Sequence, residues 1–217
     1  MLSQQQINQA MQLIIKQFPQ AGPSLHAASN FQYLIAVTLS AQTTDKAVNQ
    51  VTPQLFQSFP TPQALALASV PQVENLIKSL GLYHTKAVRI IKCAQQIVTN
   101  FDGQVPAEHR QLVTLAGVGN KTANVVLADC FGIPAFAVDT HVSQIAKRLH
   151  FVAPKANVQQ IEATITQALE KQYWIKGHHA MIFLGRAYNF HNEKQIHNLP
   201  IVQQCDAWEA EQLAHSH

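Results

Sequence analysis

Apolar residues recur at three- and four-residue spacing along most of this chain, the period of one face of an α-helix. The pattern predicts helices over Gln5 to Phe18, Phe31 to Leu39, Asp45 to Phe56, Val73 to Ser79 and Lys86 to Phe101. It continues through Lys121 to Phe131, Val138 to Leu149, Asn157 to Leu169 and His178 to Tyr188. Helix breakers stand between these segments: Pro60 and Pro62, Gly81, Gly103 with Pro106, Gly132 with Pro134, and Pro154. No alternation of apolar and polar residues lasts long enough to seed a sheet. An all-α fold is expected.

Length and composition narrow this further. A chain of 217 residues makes one large or two small domains and can bury a substantial core. With 47% hydrophobic and only 12% charged residues it is globular. No segment approaches the roughly 20 uninterrupted apolar residues that span a bilayer, so no membrane partner is expected. The start, M-L-S-Q-Q-Q-I-N-Q, has no basic stretch followed by an apolar one, so no secretory signal is expected. Cys93, Cys130 and Cys205 are odd in number and scattered, which argues against a disulfide framework and fits a reducing cytoplasm. The formal net charge of +3 permits nucleic-acid binding without demanding it.

One stretch stands out from the periodic background: L-A-G-V-G-N-K-T-A, Leu115 to Ala123. Gly117 and Gly119 bracket Val118, so the backbone is free to turn tightly and to show its N–H groups outward. The helix that follows offers amide donors at its N-terminus, where an anion such as a phosphate is favoured. Lys121, in the first turn, is a candidate nucleophile, its amine lying at the positive end of the macrodipole. Asp139, 18 residues further on within V-D-T-H, is a candidate to assist it. Both have plainer alternatives. Lys121 could be a surface lysine contacting phosphate, and Asp139 an ordinary N-cap for the run Thr140 to Leu149.

At these residues the chain resembles the helix-hairpin-helix DNA glycosylases, and among them the endonuclease III group. The resemblance extends over most of the chain, through L-S-A-Q-T-T-D (Leu39 to Asp45), G-L-Y-H-T-K-A (Gly81 to Ala87), G-Q-V-P (Gly103 to Pro106) and H-H-A-M-I-F-L-G-R (His178 to Arg186). A lone G-V-G would carry little, since glycine turns open many helices. The ordered set, with lysine and aspartate in place, is specific. It implies two helical domains with a DNA-binding cleft between them. A six-helix domain over residues 22–133 would carry the helix-hairpin-helix; residues 1–21 joined by 134–217 would form the second. Lys121 and Asp139 would lie on opposite walls. The implied activity is that of a base-excision-repair glycosylase with abasic-site (AP) lyase activity, excising damaged, oxidised pyrimidines from double-stranded DNA. A cytoplasmic monomer is expected, associated with the nucleoid if the source is bacterial.

The resemblance also assigns roles to single residues. Lys121 would attack C1′, and Asp139 would stabilise the charge developing there or assist proton transfer. Gln42 and Leu82 would enter the duplex and fill the gap left by the extruded base, where otherwise they would read as a helix-end glutamine and a core leucine. Gly117, Val118 and Gly119 would meet the backbone phosphates. His141 is a candidate for DNA contact, or a half-buried, hydrogen-bonded histidine. Lys147 and Arg148 are candidates for phosphate contact. Lys86, Arg89 and Lys92, at three-residue spacing, read as a solvated helix face. His178 and His179 suggest a metal only at first sight, because adjacent helical residues point about 100° apart. No metal site is expected there.

In one respect the chain departs from the family. Most endonuclease III relatives carry a four-iron cluster on C-x6-C-x2-C-x5-C, a pattern that falls here on Asn189, Ile196, Leu199 and Cys205. One thiolate cannot hold a cluster that needs four ligands, so the iron–sulfur cluster is expected to be absent. Apolar packing of Ile196, Leu199, Ile201, Val202 and Trp208 is the expected substitute. Other functions stay open at this point: a lyase preferring abasic sites, a monofunctional mismatch glycosylase, and a non-catalytic DNA-binding module. Lys121 weighs against the monofunctional enzymes, which usually lack lysine there.

Overall fold

The computed structural model describes residues 1–214, and every regular element among them is a helix. In chain order these are α1 (Gln4–Gln17), α2 (Asn30–Leu39), α3 (Asp45–Ser58), α4 (Pro62–Ala66), α5 (Val70–Ile77), α6 (Tyr83–Asn100) and α7 (His109–Leu112). They continue with α8 (Asn120–Phe131), α9 (Thr140–Arg148), α10 (Val158–Ala168), α11 (Trp174–Ala187), α12 (Glu193–Ile196) and α13 (Pro200–Ala214). Local chemistry sets six of these thirteen starts. Ser3, Ser29, Thr44, Thr61, Asp139 and Asn157 each accept a backbone N–H of the following turn on a side-chain oxygen. No helix among the described residues is long and apolar enough to cross a membrane.

The chain divides into two compact units, Pro23–Ile133 and Met1–Gly22 with the segment from Pro134 onward. In the first, α2 is the central helix, with Phe31, Leu34, Ile35, Val37 and Leu39 all buried. It packs on α3, α6 and α8, while α4 and α5 lie on α6 and α7 on α8. Tyr33 of α2 donates its hydroxyl to Asp129 of α8 at 2.5 Å. Burial, reinforced by that carboxylate, pushes the phenol well above its ordinary range. The bond therefore holds α8, and the turn in front of it, against the central helix.

In the second unit α1 packs on α10, α11 and α13, and α9 packs on α10 and α11. One apolar core runs through it, including Met11, Ile14, Val142, Ile145, Ile161, Met181 and Leu184. The C-terminal residues join this core. Ile196, Ile201, Val202 and Cys205 are buried in it, and Leu199 and Trp208 pack against it. Burying an aliphatic side chain of this size contributes about 1.5–3 kcal/mol at most. That α13 is a helix is new relative to the sequence pattern, because its buried residues all lie in its first half and the rest is polar.

Candidate active site

Between Leu112 and Asn120 the chain makes the turn that opens α8. Val118 donates its backbone N–H to the Leu115 carbonyl at 3.1 Å, and its own side chain is buried, which anchors the turn from beneath. Gly117 has φ +81°, and a Cβ there would come within 2.9 Å of the Thr38 Cγ2 methyl. Glycine is required on both counts. Gly119 differs. Its backbone is extended, at φ −97° and ψ 179°, and a Cβ would meet nothing within 4 Å. Neither φ nor internal space demands glycine here. What glycine contributes is an N-cap without a side chain, so that nothing stands over the first amides of α8. Lys121 is exposed one residue into that turn. A row of amide donors beside an accessible amine can bind an anion and place a nucleophile next to it.

The same unit holds the two residues assigned to the duplex, and they share a rare conformation. Gln42 has φ +55° and Leu82 φ +59°, both in the left-handed region that non-glycine residues seldom enter. Leu82 is 60% exposed, so it is not a core leucine. Gln42 lies outside α2, in the exposed segment before α3, so it is not a helix-end glutamine. Two strained and exposed side chains on adjacent loops fit a functional demand better than a packing one.

In the other unit Asp139 is the N-cap of α9, with Oδ1 accepting the Val142 N–H at 2.8 Å. The cap uses one carboxylate oxygen and fixes the orientation of the other. The plainer reading of Asp139 is therefore true, and it is compatible with chemistry at Oδ2. His141 is half-buried against α11: a Cβ on Gly185 would lie 2.7 Å from its Nδ1. Its ring fills a close helix–helix approach. Lys147, in the last turn of α9, is only partly covered. Arg148 is engaged elsewhere. Its guanidinium donates to both carboxylate oxygens of Glu193 and both of Asp206, at 2.6–3.0 Å. His178 and His179 are both buried, and His178 meets the Phe136 ring edge-on. They belong to the core.

The four positions aligned with a cluster do not fit one. Asn189 is exposed and accepts the His191 N–H, Ile196 is fully buried, and Leu199 is a hydrocarbon packed on the core. Cys205, the one thiol, is buried in the same core, and burial pushes it up to about 12, with Asp206 adding to the effect. An iron–sulfur cluster of this kind is held by thiolates, not by a protonated thiol. Among the described residues, no group of three or more His, Cys, Asp or Glu side chains is placed to hold an ion.

Lys86 is where the reading of charge spacing fails. Arg89 and Lys92 are exposed, but Lys86 is 4% exposed. Three-residue steps on an α-helix turn by about 300°, so the three positions drift across about 120°, and the first of them falls on the inner face. Its ammonium donates to the Thr43 hydroxyl, and burial lowers its pKa. A second feature also escaped the sequence pattern. Arg148, Glu193, Asp206, His150 and Glu209 form one hydrogen-bonded charge network. Its members are 45 to 58 residues apart where Arg148 meets its acids, so no local signal announces it.

Comparison with known proteins agrees with this geometry. The family model described as HhH-GPD superfamily base excision DNA repair protein matches residues 35–171. The chain is 38% identical to endonuclease III of Bacillus subtilis (strain 168) over 94% of each protein. It is 41% identical to endonuclease III of Escherichia coli (strain K12) over 77% of this chain and 79% of that one. A solved structure of a trapped endonuclease III–DNA covalent intermediate, an estranged-adenine complex, matches with a TM-score of 0.89 at 38% identity. That match covers 98% of this chain and all of the other.

Proposed function

This chain belongs to the HhH-GPD superfamily of base excision DNA repair proteins and is a DNA glycosylase and AP lyase of the endonuclease III kind, and on that premise we propose that it excises oxidised pyrimidines through a Schiff base at Lys121. The observation that carries the proposal is the exposed Lys121 amine beside the uncapped amides of α8, behind a turn that Gly117 alone permits. A related structure described as a trapped covalent intermediate with DNA supports it.

The chemistry runs in two stages. The Lys121 amine bonds to C1′ of the damaged nucleotide as the glycosidic bond breaks, and the bonding pair leaves with the base, which takes up a proton. Opening of the sugar ring and loss of the amine proton leave an iminium between Lys121 and C1′. That electron sink acidifies C2′; loss of a proton there expels the 3′ phosphate with its C–O bonding pair. Water in place of the amine forms no iminium, so the second stage needs the lysine. Asp139, held by its cap bond, stabilises the positive charge that grows at C1′ in the first stage.

DNA is the partner. The proposed substrate is duplex DNA with a damaged or abasic site, engaged by a monomer. Gly117, Val118 and Gly119 present amides to backbone phosphates, with Lys147 as an added cation. Gln42 and Leu82 fill the gap left by the flipped nucleotide, which costs a few kcal/mol to extrude. His141 contributes by setting the close approach of α9 to α11, and Arg148 by holding the C-terminal helices. None of these steps uses an iron–sulfur cluster, and the chain is proposed to work without one. The test is incubation with a duplex carrying one abasic site: a lyase nicks it, whereas a binding module or a monofunctional glycosylase leaves it intact.

A further inference from the structure

Gln42 and Leu82 lie on different loops of the same unit, and one side chain ties those loops together. Leu82 precedes α6, and its carbonyl accepts the backbone N–H of Lys86 at 3.0 Å. From the same residue the side chain crosses to the other loop, where its ammonium donates to the hydroxyl of Thr43, the residue after Gln42. Thr43 is itself fixed, its N–H donating to the Ser40 carbonyl at 3.0 Å. Lys86 thus bonds to the loop of each strained residue at once.

The environment of this lysine is costly. Lys86 is 4% exposed, and burial drives its pKa downward. Burying an ammonium against a neutral hydroxyl disfavours folding, and an apolar side chain would fill the same position more cheaply. Two left-handed non-glycine residues add further strain. Features that each lower stability, gathered at two adjacent loops, point to a shared task.

We infer that Lys86 is a positioning residue that locks the Gln42 loop to the Leu82 loop, so that both side chains enter the duplex as one rigid wedge. The inference rests on the assignment of Gln42 and Leu82 to the duplex. Lys86 touches neither the base nor the sugar. It acts by removing the freedom of the two loops to move apart, so the ordering cost falls on folding rather than on the step that flips the nucleotide.

The test compares two substrates. One is a duplex with an oxidised pyrimidine opposite a purine; the other carries the same lesion opposite a one-nucleotide gap, where no partner base has to be displaced. Lys86→Met keeps the length and apolar body of the side chain and removes the donor. Thr43→Val removes the acceptor while keeping the shape, and it serves if Lys86→Met does not fold. Single-turnover excision from the paired duplex is expected to fall about tenfold or more in either variant, with the gapped duplex changed by no more than about twofold. The double variant is expected to lose no more than either single one, since the same bond is removed. Equal losses on both substrates would mean a general folding defect and overturn the inference. So would wild-type rates on the paired duplex. If Leu82→Ala and Gln42→Ala also leave the paired rate unchanged, it is the assignment of the wedge that has failed. Failure of the unsubstituted protein to nick abasic DNA would refute the catalytic reading instead.

Discussion

Arg148 and Asp206 meet in two parallel hydrogen bonds, Nη1 to Oδ1 at 2.7 Å and Nη2 to Oδ2 at 3.0 Å. The first residue ends α9 and the second lies in the middle of α13, so the pair clips the last helix to the one that Asp139 begins. Glu193 takes the remaining face of the guanidinium, and His150 stands between Asp206 and Glu209 at 2.8 and 2.7 Å. His150 is itself held at φ +60°. A charge network laid over an apolar anchor thus holds this segment. Arg148 is only 18% exposed, whereas Asp206 and Glu193 keep much of their contact with water.

Arg148→Met is expected to lower stability by roughly 1–3 kcal/mol near neutral pH, between the ranges for exposed and buried pairs. Hydrogen bonds from Arg148 hold the Asp206 and Glu193 carboxyls below their ordinary range. A carboxylate with a depressed folded pKa stabilises the fold above its unfolded value, and loses that contribution as pH falls through the folded one. The stability gap between the two proteins should therefore close as pH drops from about 6 toward about 3. Urea denaturation across that range measures it; a constant gap would show that these ion pairs do not stabilise the fold.

The purified protein is expected to be colourless, iron-free, folded and active. Asn189, Ile196 and Leu199 offer no ligand to iron, and Cys205 is a buried thiol. Metal analysis and a visible spectrum of anaerobically prepared protein decide the matter. Stoichiometric iron with a broad charge-transfer absorbance would contradict it.

The two glycines of the turn should behave oppositely. Gly117→Ala forces a methyl against Thr38 at a left-handed φ and should cost about 1–3 kcal/mol of stability. Gly119→Ala finds open space and extended backbone, so its melting temperature should stay near that of the unsubstituted protein. Its methyl would stand over the amides proposed to meet phosphate, so DNA affinity should fall. Thermal melts and fluorescence-anisotropy titrations with duplex DNA separate the two effects.

Much of this was legible in the sequence, and the exceptions share a cause. The long helices announced themselves through their periodicity, and the glycine turn before α8 through its motif, whose spacing also marks Lys121 and Asp139 as the candidates for chemistry. What stayed hidden depends on contacts between distant parts of the chain. Lys86 looked like a surface charge because its partner, Thr43, is 43 residues away. Arg148 looked like a phosphate contact because its acids lie on α12 and α13. The left-handed backbone of Gln42 and Leu82 has no glycine to mark it, so motif comparison alone singled them out. Even within the motif, the two glycines looked alike, and the left-handed φ and the packing against Thr38 distinguish the required one.

Asp139→Asn should separate the two stages of the reaction. Asparagine caps a helix as well as aspartate does, so α9 and the fold should survive. On the proposed mechanism, losing this charge removes roughly 3 kcal/mol of transition-state stabilisation, about a hundredfold in rate. Excision of a damaged base should fall by that factor, while nicking of a preformed abasic site should fall far less. Wild-type excision by the variant would leave Asp139 as a cap and nothing more.

The most direct measurement is chemical trapping at Lys121. Borohydride reduces an iminium to a stable amine, so incubating the protein with abasic duplex DNA and borohydride should yield one covalent protein–DNA adduct. Peptide mapping should place that link on Lys121, and Lys121→Gln should give none while still binding the duplex. Undiminished trapping by Lys121→Gln, or a link mapped to another residue, would contradict the account.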